Sequence, residues 1–161
     1  MDYNDISASK LVSFSDMPPG QFLLGILSAF DNRYQAFADS FFKEITWKQF
    51  FAIICLRILD TPPTINELSE VMGSSHQNVK QILLKLEKKD LIEIFPDEKD
   101  RRKQRIRISK HGNEFCENHD PESIRLMGKL FSGISDAEFE AAIGVIGKME
   151  KNLKEMQQME K

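Results

Sequence analysis

Cysteine is scarce: only Cys55 and Cys116 occur in 161 residues, and they stand far apart. Two distant thiols supply neither a disulfide framework nor a clustered zinc site, so reduced thiols are the expectation. Long apolar runs are missing too. Phe22-Leu23-Leu24 and the stretch from Phe50 through Leu56 fall far short of the ~18 residues a membrane span needs. The opening Met1-Asp2-Tyr3-Asn4-Asp5 lacks the charged-then-apolar order of a signal peptide. No membrane association and a cytoplasmic location are therefore expected. There is no glycine-rich phosphate loop, nucleophile elbow or His-Glu-x-x-His pair, so neither catalysis nor a cofactor or metal is expected.

Charge of one sign does not dominate, with a formal net charge of -3, but it is unevenly placed. Residues 74–110 carry 11 Lys/Arg against 6 Asp/Glu, whereas the remainder carries 11 against 19. Association with a polyanion depends on the local face, so a basic insert in an acidic body remains compatible with DNA. The hydrophobic share of 41% suits one globular domain, with the first 16 or so polar residues read as a loose arm.

Four Ser/Thr-x-x-Glu/Gln boxes mark helix starts: Thr46 with Gln49, Thr64 with Glu67, Ser74 with Gln77, and Ser135 with Glu138. A first helix is expected over 18–43, opened by Asp16 and two prolines. Its apolar residues Leu23, Leu27, Phe30, Tyr34, Phe37 and Phe41 step alternately by four and three, a heptad seam. A last helix over 136–158 repeats the device with Phe139, Ala142, Ile146, Met149, Leu153 and Met156. A helix of this length spans about 35 Å, more than a chain of this size can cover alone, so self-association is expected. Shorter helices are expected over 46–59, 64–72 and 74–89. After Asp90 the pattern changes to period two, Ile92 and Ile94 against Ile106 and Ile108, which predicts a hairpin.

Short helix, tight turn at Met72-Gly73-Ser74, second helix and hairpin is the order of a winged helix-turn-helix. On the second helix Val79, Ile82, Leu83 and Leu86 share one side, and Gln77, Lys80, Gln81 and Leu84 the other. Gln can bond adenine bidentately, Lys can reach guanine or phosphate, and the polar first turn, Ser74, Ser75, His76, Gln77 and Asn78, is what meets base edges in such a motif. The hairpin tip, residues 96–103, holds Lys99, Asp100, Arg101, Arg102 and Lys103. A basic loop beside a recognition helix can enter the flanking minor groove, and Asp100 is read as a group that orients one guanidinium.

The segments Ile65-Asn66-Glu67-Leu68, Met72-Gly73-Ser74-Ser75, the run from Lys85 through Ile92, Asp97-Glu98-Lys99-Asp100-Arg101-Arg102 and Ile108-Ser109-Lys110-His111-Gly112 resemble the MarR (multiple antibiotic resistance regulator) family. Thr46-Trp47-Lys48-Gln49 resembles the start of that family's second helix. The resemblance implies a mainly α fold with a small β-hairpin (α+β), a winged helix-turn-helix with long N- and C-terminal dimerisation helices. It further implies a homodimeric regulator of pseudo-palindromic operators, often a repressor released by a ligand or oxidant. The minor-groove role falls on Arg102 or Arg101, with Asp100 as partner. Asp90 stands where the family commonly has glycine, so a slightly altered departure of the hairpin is expected.

The whole chain, 1–161, is accordingly read as a single MarR-like domain. Residues 18–60 and 109–161 form its helical dimerisation region and 61–108 its DNA-binding lobe. Phe30, Tyr34, Trp47 and Phe51 are a candidate pocket for a small aromatic effector. Cys55, set among Ile53, Ile54 and Leu56, is read as a buried structural thiol; Cys116 and His119, with His111 upstream, are a weak metal signal and are discounted. The rival reading is a winged helix serving as a protein-interaction or RNA-binding module. A third is an effector-binding protein that no longer binds DNA.

Overall fold

A computed structural model describes residues 17–159. The proposed loose arm, with Asp16 as helix opener, lies outside them. The elements are α1 (Pro19–Phe41), α2 (Trp47–Ile58), α3 (Ile65–Val71), α4 (His76–Glu87), β1 (Ile92–Pro96), β2 (Gln104–Ile108), α5 (Lys110–Leu130) and α6 (Asp136–Met159). The mainly helical fold with one antiparallel hairpin is the one the sequence predicts. The chain divides into two compact units, residues up to Asn113 and residues from Glu114 onward.

In the first unit the short helices begin where side chains satisfy free amides. Thr46 accepts from the Gln49 amide while the Gln49 side chain accepts from the Thr46 amide, and Thr64 and Glu67 form the same reciprocal pair. The third expected box does not form. Ser75, not Ser74, caps α4, accepting from the Asn78 amide. Gly73 has φ +59°, and the Ser74 amide bonds the Ser69 carbonyl, so Ser74 still belongs to the turn and the helix starts one residue later.

The core of this unit is where α2, α3, α4 and the hairpin meet. Ile53, Leu68, Val79, Leu83, Leu86, Ile92 and Ile106 are almost wholly excluded from solvent. The expected hairpin forms, pairing Ile92 with Ile108 and Ile94 with Ile106. A bridge between Thr64 and Arg105, with the Ile106 amide donating to the Pro63 carbonyl at 2.9 Å, ties the hairpin to the segment before α3.

Helix α4 ends in a Schellman turn: the Leu91 amide returns to the Leu86 carbonyl and the Asp90 amide to that of Glu87. Asp90 adopts the left-handed conformation itself, φ 58°, so it takes the backbone shape for which glycine is suited. An L side chain is strained there, and among the described residues no hydrogen bond or ion pair of its carboxylate offsets the strain. Asp90→Gly is therefore expected to raise stability by about 0.5–1 kcal/mol, to be checked by urea unfolding.

In the second unit, the sequence had not marked α5 as a separate helix within 109–161; Pro121 lies inside it and its composition is polar. Gly133, φ +83°, turns the chain after it, and Ser135 and Glu138 form the expected box at the start of α6. Phe131 meets Phe139 edge-on at 5.3 Å. No residue of α6 is buried, and Ile143, Ile146, Leu153 and Met156 are all exposed. No described helix is long and apolar enough to cross a membrane.

Candidate nucleic-acid interface

The interface is built on α4. Val79, Leu83 and Leu86 are fully buried and Ile82 nearly so, which fixes the helix's rotation and leaves Gln77, Lys80, Gln81 and Leu84 outward. The seven recognition residues expected from sequence do not share one surface. His76 and Lys80 line a groove of about 380 Å³ together with Arg102, Lys103, Gln104 and Arg105 of the wing and Thr64, Ile65, Asn66 and Glu67 at the start of α3. Gln77 and Gln81 are exposed beside it. The Asn78 side chain instead donates its Nδ2 to the Ser74 hydroxyl at 2.8 Å, and both residues line a different cavity. Ser75 is occupied as the cap.

The wing loop is ordered by two aspartates. Asp97 Oδ1 accepts from the Lys99 and Asp100 amides, each at 2.8 Å, and its Oδ2 takes the Arg105 Nε at 2.6 Å. The Arg105 guanidinium and those two amides hold the Asp97 carboxyl down at about 2, so it is ionised at neutral pH. Asp100 Oδ1 accepts from both the amide and the Nε of Arg102 at 3.1 Å, with Nη2 at 3.4 Å from Oδ2. These bonds to Arg102, and the field of Lys103, lower the Asp100 carboxyl as well. Arg102 is nevertheless 91% exposed: its head is aimed but not covered. Arg101, Lys99 and Lys80 carry no ion pair among the described residues.

Other cations of the basic segment are committed internally. Arg107 pairs with Glu93 at 2.6 Å and lies 4.8 Å from the centre of the Phe95 ring. Arg105 pairs with Asp97 and Glu67. Among the groove residues, the sequence does not point to Thr64, Ile65, Asn66, Glu67, Gln104 or Arg105 as site residues. Their signal is positional: strand alternation puts Gln104 and Arg105 at the root of the wing, but only folding brings the first turn of α3 beside it.

The candidate effector residues form a chain of rings. Phe30 stacks on Tyr34 at 5.9 Å, Tyr34 meets Trp47 edge-on at 4.6 Å, and Trp47 stacks on Phe51 at 5.9 Å. Trp47 and Phe51 line a cavity of about 360 Å³ with Asp31, Gln35, Lys48 and the turn residues Met72, Gly73, Ser74 and Asn78. Phe30 and Tyr34 do not line it; Tyr34 backs the Trp47 ring, with Phe30 stacked on Tyr34, and burial raises the Tyr34 hydroxyl pKa. Cys55 is buried, which pushes its thiol up and makes it a poor nucleophile. His119 stacks on Phe115 and its Nδ1 lies 2.8 Å from the Phe115 carbonyl. No group of three metal-ligating side chains occurs among the described residues.

Residues 45–103 match the model of the MarR family. Over 93 residues, 58% of this chain, the sequence is 30% identical to the transcriptional repressor MprA of Escherichia coli K12. That match spans 53% of MprA, so the chain covers about half the length of the curated relatives it matches. A MarR/EmrR family transcriptional regulator from Acinetobacter sp. ADP1 superposes with a TM-score of 0.76 at 17% identity, over 86% of this chain and 99% of that one. A mutant MarR from E. coli complexed with operator DNA gives 0.69 at 22% identity, over 88% and 99%. Structural likeness at such identities speaks for the fold, while the family model speaks for the helix-turn-helix and wing. Over that segment, rather more than a third of its length, the chain is similar to the MarR family.

Proposed function

We propose that the protein is a sequence-specific DNA-binding transcriptional regulator, a ligand-responsive repressor that acts in the cytoplasm as a homodimer on a pseudo-palindromic operator. One observation carries the reading: a recognition helix and a wing present Lys80, His76, Arg102 and Lys103 to a single groove. Gln77 and Gln81 stand ready for base edges, and Arg102, steered by Asp100, for a minor groove. The repressor MprA and the operator-bound MarR mutant support carrying this role to the present chain.

In this reading residues 61–108 are the DNA-binding lobe and 18–60 with 109–161 hold the dimer. A 24-residue helix with no buried residue is costly in water. Covering side chains such as Ile143, Leu153 and Met156 with a second copy contributes on the order of 1.5–3 kcal/mol for each one fully buried. Phe30 and Phe37 on α1 are exposed in the same way. Two lobes so joined must sit about 34 Å apart to enter successive major grooves. An effector in the cavity under Trp47 and Phe51 would act on that spacing, because Gly73, Ser74 and Asn78 at the head of the recognition helix line the same cavity.

The test is a mobility shift with the DNA upstream of the protein's own gene against bulk DNA at physiological salt, with the mass of the free protein from light scattering. A shift confined to the upstream fragment and a mass twice 18.6 kDa are expected. Equal affinity for both DNAs, or none, rejects the reading. A finer expectation concerns α4: Gln77→Ala or Gln81→Ala should alter which bases are preferred, with each lost base contact worth about 1–3 kcal/mol. Selection of binding sites from a random pool checks it, and a uniform loss over all sequences would mean that these residues touch only phosphates.

A further inference from the structure

We propose that Arg105 is the positioning residue of the wing, a brace between the hairpin root and the helix-turn-helix without which Arg102 is not delivered to the duplex. The inference rests on the DNA-binding reading above and adds a residue to it. Arg105 joins three separate segments. Its Nε donates to Asp97 Oδ2 at 2.6 Å, at the start of the wing loop; its Nη1 donates to the Pro62 carbonyl at 2.9 Å, in the linker before α3, and to Glu67 Oε2 at 3.3 Å, in the first turn of α3. Each end of that brace is itself fixed. Glu67 is held by its capping bonds with Thr64, and Pro62 is followed by a second proline.

From Asp97 the connection runs on to the tip. The carboxylate that binds Arg105 also orders the Lys99 and Asp100 amides, and Asp100 in turn grips Arg102. An unbroken series of polar contacts thus leads from α3 through Arg105 to the exposed guanidinium. The hairpin needs such a tie, because two strands of five residues are marginal by themselves. Arg105 is directed to the protein rather than held out like Arg102: its side chain is only 29% exposed, and its Nε and Nη1 already face two carboxylates and a carbonyl.

A double-mutant cycle on operator affinity reads the coupling. Arg102→Ala in the native background should weaken binding by roughly tenfold or more. Arg105→Gln alone should cost a similar factor, and in that background Arg102→Ala should cost less than about threefold more. Asp97→Asn is the second variant: its side-chain oxygen can still accept the Lys99 and Asp100 amides, while an amide nitrogen replaces the oxygen that Arg105 binds, so it should give the same reduced increment. Thermal melts and light scattering establish that each variant is folded and dimeric. An undiminished Arg102 increment in both backgrounds overturns the brace. A salt slope flattened by one with that increment intact would make Arg105 a phosphate contact, which also overturns it. No effect of Arg102→Ala in the native background is a different failure, since it removes the wing from DNA binding altogether.

Discussion

Gly112→Ala should lower the unfolding free energy by about 3 kcal/mol and the melting temperature by roughly 6–12 °C. The sign makes the experiment informative. Gly112 lies in the first turns of α5, and helix propensity alone predicts a gain of up to about 1 kcal/mol for alanine. Packing predicts the opposite. A β-carbon at this position would sit 2.0 Å from the Leu91 carbonyl oxygen and 2.8 Å from Ile108 Cγ2. That carbonyl cannot easily withdraw, because it accepts the Ser109 amide at 3.1 Å where the chain leaves the hairpin. The Gly112 amide is itself held by the Ser109 hydroxyl at 2.9 Å. Urea unfolding decides between the two signs, and a stabilised variant would mean that helix and hairpin do not approach as closely as described.

Arg102→Ala should weaken operator binding by about 1–3 kcal/mol and reduce the slope of log affinity against log salt by about one. The fold should be untouched, because the side chain is 91% exposed and its partner is Asp100 of the same loop. Arg101→Ala is expected to have the smaller effect. Both arginines are exposed, but only Arg102 has its guanidinium fixed in direction, so less rotamer freedom is lost when it enters a groove. Fluorescence anisotropy over a salt series measures both terms. Unchanged affinity for Arg102→Ala would take the wing out of the interface.

Much of this molecule can be read locally. Thr46 with Gln49 and Thr64 with Glu67 cap their helices as their spacing says, because a capping box involves only residues three apart. The buried stripe of α4, and the shared face of Ile92 and Ile94 and of Ile106 and Ile108 on the two strands, follow from period alone. The shift from Ser74 to Ser75 shows where such reading stops. Either serine can cap, and the choice was made by the conformation of Gly73 and the bond from Ser74 to Ser69. Helix α5 was hidden by its own composition, polar and interrupted by Pro121.

Sequence by itself determined the order of the elements from α1 through the hairpin, the polar and apolar sides of the recognition helix, and a cationic wing with a carboxylate beside its arginines, since each depends on neighbours along the chain. Tertiary structure alone decided that the first turn of α3 contributes to the groove and that Arg105 bonds Pro62 and Glu67 there. The physical reason is distance along the chain: Arg105 meets partners 43 and 38 residues away, and no periodicity encodes which donors and acceptors a folded core will bring within 3 Å of one another.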